Sequence, residues 1–224
     1  MRLAALYDVH ANLSALEAVL AELEREDVDG IVFGGDLTWG PQPAETLALI
    51  RSVPNARFVR GNCDREPDEW ERSCLSADEV TFLQGLPERL ELEGVLYCHA
   101  TPRSDEEVVT PATPDERLAE ILAGVEQQAV VAGHTHMQQD RQIGAVRFIN
   151  AGSVGLPYEG EVAAFWALVD DGEAELRKTA IDIDRLADAY RASRWPRADE
   201  FLRENVLAAI TREQATAELE RRSA

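Results

Sequence analysis

An α/β fold of two packed sheets, with helices on their outer faces, is what the order of elements predicts. Two observations carry it. From Leu3 to Val59 short apolar runs alternate with amphipathic stretches, the strand–helix–strand spacing of a right-handed βαβ unit with parallel pairing. From Leu90 onward three pairs of runs turn at Glu93-Gly94, at Gly144 and at Asp170-Asp171-Gly172, which are hairpin signals. A parallel, helix-linked start with a hairpin-rich continuation does not fit a single doubly wound sheet.

Leu3 to Tyr7 is the first buried strand, and Asn12 caps a helix with the stripe Leu13, Leu16, Leu20 and Leu23. Ile31 to Phe33 is the second strand. Pro43 suits the first turn of a helix through Leu47 and Ile50, and Ala56 to Val59 is the next strand. Arg65 to Arg72 is charged and has no clear period. Ser76 with Glu79 forms a capping box for a helix through Val80 and Leu83. Leu90 to Cys98 is a hairpin, and the proline-bearing, acidic stretch from 100 to 114 is a surface loop. A helix with Leu118, Ile121 and Leu122 inward leads to the apolar strand Ala129 to Ala132. Gln142 to Asn150, then Ala163 to Val169 with Ala174 to Ile183, supply the remaining hairpins. Beyond them the pattern turns helical, with Leu186 and Tyr190, a break at Trp195-Pro196, then Phe201, Leu202, Val206 and Ile210. The expected division is therefore a core domain over residues 1–183 and a helical extension over 184–224, dispensable for the chemistry, that caps the core or a second copy of the chain.

The 224 residues can bury one sizeable core, and no apolar run approaches the roughly 18 residues of a membrane span. No signal-peptide pattern precedes Asp8, so a cytoplasmic location is expected, with no membrane partner. Three cysteines, Cys63, Cys74 and Cys98, form neither a disulfide framework nor a CxxC zinc pair. A net charge of −20 without a basic cluster argues against a nucleic-acid polymer as partner. A small anionic substrate would need strong local positive charge, which metal ions would supply.

The chain has four histidines, and all of them follow apolar runs: His10, His99, His134 and His136. Asp8, Asp36 and Asn62 stand at strand ends too. These seven nitrogen and oxygen donors exceed one tetrahedral site, and two metals sharing a bridging carboxylate is the economical arrangement. In α/β sheets ligands gather outside the carboxyl ends of strands, so these loops can share one crevice.

Asp8-x-His10, Gly35-Asp36, Gly61-Asn62, His99 and Gly133-His134-x-His136, in this order, resemble the calcineurin-like metallophosphoesterase superfamily, and most closely its compact bacterial and archaeal phosphodiesterase branch. The resemblance implies a four-layer α/β/β/α sandwich. It implies that Asp8, His10, Asp36 and His136 hold one metal, while Asp36, Asn62, His99 and His134 hold the other, with Asp36 bridging. It also implies a hydroxide between the metals as nucleophile toward a small phosphorylated substrate, a phosphodiester or a phosphoanhydride; a phosphoprotein serine/threonine phosphatase is the alternative. Manganese is the leading metal, and iron, zinc, cobalt or nickel also suit such ligands.

Many members have histidine after the asparagine, where it serves the leaving group; here that position is Cys63, expected as a small buried residue. Arg103 is a candidate phosphate clamp or a loop salt bridge. Trp39 is a candidate nucleobase platform, with packing under its own loop favoured. Other classes fare worse. No cysteine has the Cys-x5-Arg spacing of a cysteine phosphatase, and no Gly-x4-Gly-Lys-Ser/Thr loop is present. A metal-free scaffold on the same fold would be expected to have lost ligands.

Overall fold

The computed structural model describes residues 1–223. β1 (Arg2–Leu6) leads to α1 (Leu13–Leu23), where the Asn12 side chain accepts the Ala15 amide as a cap. β2 (Gly30–Phe33), α2 (Pro43–Ser52, with Pro43 in its first turn) and β3 (Ala56–Phe58) complete the βαβαβ start. The charged stretch after Gly61 folds as two short helices, α3 (Asn62–Arg65) and α4 (Glu69–Cys74). α5 (Ala77–Gln84) opens in the Ser76–Glu79 capping box, with both reciprocal hydrogen bonds made. Then follow β4 (Arg89–Leu92), β5 (Val95–Cys98), α6 (Asp115–Ile121), β6 (Ala129–Ala132), β7 (Gln139–Ile143), β8 (Val146–Asn150), β9 (Ala163–Asp170) and β10 (Glu173–Ala180).

The strands form two five-stranded mixed sheets, ordered β10-β9-β1-β2-β3 and β4-β5-β6-β8-β7. β1 runs parallel to β2, and β2 to β3; in the other sheet β5, β6 and β8 are parallel neighbours. The period-2 alternation of β1 shows how the layers are built. Leu3, Ala5 and Tyr7 face the second sheet and meet Val95, Tyr97, Val131 and Ile149. Ala4 and Leu6 face outward onto Leu16, Val19, Leu47 and Ile50 of α1 and α2. On the far side, Leu96, Val130 and Phe148 bury against Leu118 and Ile121 of α6. This is a four-layer α/β/β/α sandwich. The Tyr7 hydroxyl pins the two sheets together by donating to the Val131 carbonyl at 2.9 Å, and fully burying each large apolar side chain in these layers is worth about 1.5–3 kcal/mol.

The C-terminal part differs in detail from expectation. β10 stops at Ala180; Asp182 accepts the Arg185 amide and starts α7 (Ile183–Ala192), so Ile183 belongs to a helix and not to the third hairpin. Its β-branched side chain next to Ile181 mimics a strand, but the aspartate cap between them decides the local structure. α8 (Ala198–Phe201) runs into a π-helical turn over Leu202–Val206, and Ile210 lies outside any helix. α9 (Arg212–Ser223) follows, a charged helix with no apolar stripe to announce it. Leu186, Tyr190, Trp195, Phe201 and Leu202 form one cluster with Leu156, and Trp39 and Tyr158 of the core pack against it. Among the described residues no helix is long and apolar enough to cross a membrane.

Candidate metal centre

The parallel strands β1, β2, β5 and β6 point their carboxyl ends at one rim, and the loops there adopt an uncommon backbone. Asp8 and His10 have φ of +52° and +49°, Asp36 +53°, His134 +65° and His136 +58°. For L residues the left-handed region costs roughly 1–2 kcal/mol each, so the surroundings must hold these loops in place. They do so with buried hydrogen bonds. Asp8 N–H donates to the Gly35 carbonyl (3.1 Å), His10 N–H to the Asp36 carbonyl (2.9 Å), and His134 N–H to Asp8 Oδ2 (2.8 Å). Two glycines permit the close approach. A Cβ on Gly61 would stand 2.2 Å from Asp36 Oδ1, and one on Gly133 would stand 2.4 Å from Asp8 Oδ2.

The side chains then converge. Asp8 Oδ1 lies 3.3 Å from His136 Nε2 and 3.9 Å from Nε2 of both His10 and His99. Asp36 turns Oδ1 toward His99 Nε2 (3.5 Å) and Oδ2 toward His10 Nε2 (3.9 Å). Asn62 Oδ1 is 3.1 Å from His99 Nε2. Two buried triads can be drawn, Asp8–His10–His136 and Asp8–Asp36–His99, and they share Asp8. His134 belongs to neither; its ring stands edge-on to His99 with centroids 5.2 Å apart.

Carbonyl partners assign the imidazole protons. His99 Nδ1 donates to the Gly34 carbonyl (2.9 Å), His136 Nδ1 to the Leu156 carbonyl (2.7 Å) and His134 Nε2 to the Glu106 carbonyl (3.2 Å). A carbonyl only accepts, so in its neutral form each of these rings carries its lone pair on the opposite nitrogen. That is how metal-ligating histidines are held. For His99 and His136 that nitrogen is the one facing the carboxylates.

Electrostatics favour the same use at His10 and His134, while at His99 the Asp36 and Asp8 charges outweigh burial and raise the imidazole. Burial, helped by His136, pushes His10 down to about 4, and burial with His99 pushes His134 down to about 4, so both are neutral near pH 7. Burial by itself would raise Asp8, yet His136, His99 and His10 together hold it well below the ordinary carboxylate range. Asp36 is lowered in the same way, with His99 and His10 outweighing burial. Asp8 Oδ1 is buried and has no hydrogen-bond donor. A buried carboxylate oxygen without a donor, ringed by imidazole nitrogens, fits a divalent cation.

The family model of the calcineurin-like phosphoesterase superfamily domain matches residues 1–171. The chain belongs to that superfamily. Like the compact bacterial and archaeal calcineurin-like phosphoesterases, it is a metal-dependent phosphoester hydrolase. Phosphodiesterase YfcE of Escherichia coli (strain K12) is 26% identical over 191 residues, covering 76% of this chain and 89% of its own length. The uncharacterized protein MJ0912 of Methanocaldococcus jannaschii is 25% identical over 240 residues, covering 91% and 96%. The structure of a metallophosphoesterase from Sphaerobacter thermophilus superposes with a TM-score of 0.78 at 25% identity, over 94% of this chain and all (100%) of that one. The last two similarities reach past the family model's span into the C-terminal helices.

The three candidate substrate contacts of this calcineurin-like phosphoesterase lie differently from one another. Cys63 is half-buried at the rim, and its N–H donates to Asp36 Oδ1 at 2.9 Å. Burial and the Asp36 charge push its thiol far up, so it stays protonated and offers neither base nor nucleophile. Arg103 forms a two-pronged salt bridge to Glu107 (2.8 and 2.5 Å), the loop role weighed for it, although it also lines a cleft beside His99. Trp39 is neither a free platform nor packed under its own loop. Its ring stands edge-on to His10 (5.5 Å), to Trp195 (5.6 Å) and to Phe201 (5.4 Å), so it links a candidate ligand to the extension.

Sequence reasoning missed the residues that brace the donors. The buried Asp64 carboxylate accepts N–H groups from Asp36, Leu37 and Gly61 (2.8–2.9 Å). Ser153 donates to the Asp8 carbonyl (2.8 Å), Asn150 to the Gly133 carbonyl (2.6 Å), and Tyr158 stacks on His136 (4.9 Å). An aspartate two residues beyond the Gly61-Asn62 pair was the one local signal on offer; the other partners lie far along the chain.

Proposed function

We propose that this phosphoesterase holds two divalent cations at the rim and cleaves phosphodiester or phosphoanhydride bonds of small, nucleotide-sized substrates in the cytoplasm. What supports the reading is Asp8 Oδ1, buried without a donor and within 3.3–3.9 Å of three imidazole nitrogens. Asp8, His10, Asp36 and His136 would hold one ion, and Asp36, Asn62, His99 and His134 the other. The two oxygens of Asp36 face one imidazole from each set, which suits a bridge. Divalent cations there supply charge toward phosphoryl oxygens and a nucleophilic water near neutral pH. The chain's own part is orientation: backbone carbonyls fix three imidazole tautomers, and Asp64 fixes the Asp36 and Gly61 loops. With a neutral thiol at Cys63, help for a poor leaving group is slight, so leaving groups that depart as stable anions are favoured. Manganese is the preferred ion, and the net charge of −20 disfavours a nucleic-acid polymer as substrate.

Elemental analysis of active, metal-loaded protein tests this. Two equivalents per chain are expected, with Asp36→Asn losing both ions and His10→Ala mainly one. One equivalent or fewer in fully active enzyme overturns the dinuclear reading.

A further inference from the structure

On a chain with a net charge of −20, one cleft beside His99 is lined by four arginines: Arg60, Arg65, Arg89 and Arg103. It encloses about 430 Å³, within the roughly 300–1,000 Å³ of small-ligand sites. Structural partners account for three of the four. Arg60 pairs with Glu88 (2.7 Å), Arg65 with Asp105 (3.5 Å) and Glu106 (2.6 Å), and Arg103 with Glu107. Arg89 is different. Its one hydrogen bond goes to the Pro102 carbonyl (3.1 Å), and among the described residues no carboxylate lies within ion-pair reach.

Strand register explains where this charge points. Arg89 of β4 pairs with Cys98 of β5, so it stands beside the residue that precedes His99. The loop that carries Arg103 also carries Glu106, whose carbonyl orients His134. The cleft adjoins the candidate metal centre through His99, the one candidate ligand that lines it. Its four arginines meet four carboxylates, Glu88, Asp105, Glu106 and the adjoining Glu107, and all four pair with the other three arginines, leaving Arg89 without one. A guanidinium matches phosphate oxygens in a planar, two-pronged way, and one without a carboxylate partner in an acidic protein is open to an anion.

We propose that this cleft is the subsite for a second phosphate group, next to the phosphorus that is attacked. The preferred substrate is then a phosphoanhydride rather than a simple ester. This rests on the hydrolytic reading above, and it is separable from it by experiment.

Binding of methylenediphosphonate, which cannot be hydrolysed, is compared with binding of methylphosphonate on the metal-loaded protein by calorimetry. The second phosphonate is expected to tighten binding at least tenfold, and Arg89→Gln to remove at least fivefold of that gain. Arg103→Gln provides a second variant should the first fold poorly, and Arg57→Gln, an arginine outside the cleft, controls for the loss of one charge. In parallel, the ratio of kcat/KM for ATP to that for bis(p-nitrophenyl) phosphate should fall at least fivefold in Arg89→Gln. Replacing ATP by tripolyphosphate tells a nucleoside polyphosphate from a bare polyphosphate chain. Equal affinity for the two phosphonates, or a ratio that moves less than fivefold, overturns the subsite. Protein that binds the diphosphonate through Arg89 but hydrolyses nothing leaves the subsite standing and overturns the hydrolytic reading.

Discussion

Asp64 touches no candidate cation, yet its carboxylate receives three backbone N–H groups from the two loops that present Asp36 and Asn62. Burial, with the Asp36 charge beside it, pushes it up to about 6, and the N–H donors work against that rise. In Asp64→Asn one acceptor oxygen becomes an NH2 group, and at least one buried N–H loses its partner. A buried donor left unsatisfied costs about 1–3 kcal/mol, and partners that orient metal ligands are worth roughly 10–100-fold in metal affinity. Asp64→Asn should therefore lower both the denaturant midpoint and manganese affinity; calorimetric titration with unchanged affinity would show the brace to be irrelevant to the site. At this scale the sequence was informative about donors and silent about braces. Donors announce themselves by residue type at strand ends, whereas Ser153 and Asn150 are ordinary polar residues until the fold brings them under Asp8 and Gly133.

α4 is held in place by a carboxylate the chemistry does not use. Glu71 is fully buried; it accepts the Asp68 amide (2.9 Å) as the far half of a capping box and the Thr38 hydroxyl (2.8 Å). Burial pushes it up to about 7, although those two hydrogen bonds pull the other way. A carboxyl with a raised value binds its proton more tightly folded than unfolded. Its contribution to stability is therefore full below about 4.5 and is lost as pH rises toward about 7. Glutamine can serve both partners without a charge. Glu71→Gln should thus flatten that part of the stability–pH curve by on the order of 2 kcal/mol, measured as denaturant midpoints from pH 4.5 to 7.5. Equal slopes for the two proteins would count against the assignment. The elements themselves were legible wherever the signal is local: the Ser76 box, Pro43 and the glycine turns. α3 and α4 were not, because helices of four and six residues are too short for a period, and α9 was not, because it has no stripe.

For the molecule as a whole, the extension is stitched to the loops behind His136. Arg212 reaches Glu159 with two hydrogen bonds (2.8 and 3.0 Å) and the Gln138 carbonyl (3.0 Å). Thr110 donates to Glu220 (2.8 Å), and Thr216 to the Met137 sulfur (3.6 Å). None of these residues supplies a candidate ligand. Deleting residues 212–224 should leave hydrolysis of a small aryl diester intact at saturating metal, raise the metal concentration needed for half-maximal rate severalfold, and lower Tm. Loss of all hydrolysis in a folded, metal-loaded truncation would show that the helix takes part in the chemistry. The packing of two sheets was foreseeable from βαβ runs followed by hairpins. The wrapping of the extension around Trp39 was not, since Trp195 and Phe201 become its neighbours only through long-range packing.

The left-handed backbone at Asp8, His10, Asp36, His134 and His136 places backbone strain at five candidate ligands at once. Glycine ordinarily weakens a fold relative to alanine, but where φ is positive the order reverses. His10→Gly should melt about 2–4 °C above His10→Ala, since both remove the imidazole and differ by about 1 kcal/mol of backbone strain; the opposite order would mean the loop relaxes. A population selected only for remaining folded would therefore drift toward glycine at His10, whose Nδ1 has no hydrogen-bond partner. At the other four the side chain also holds the backbone, Asp8 the His134 N–H, Asp36 the Cys63 N–H, and His134 and His136 a carbonyl each, so fold and catalysis share in keeping them.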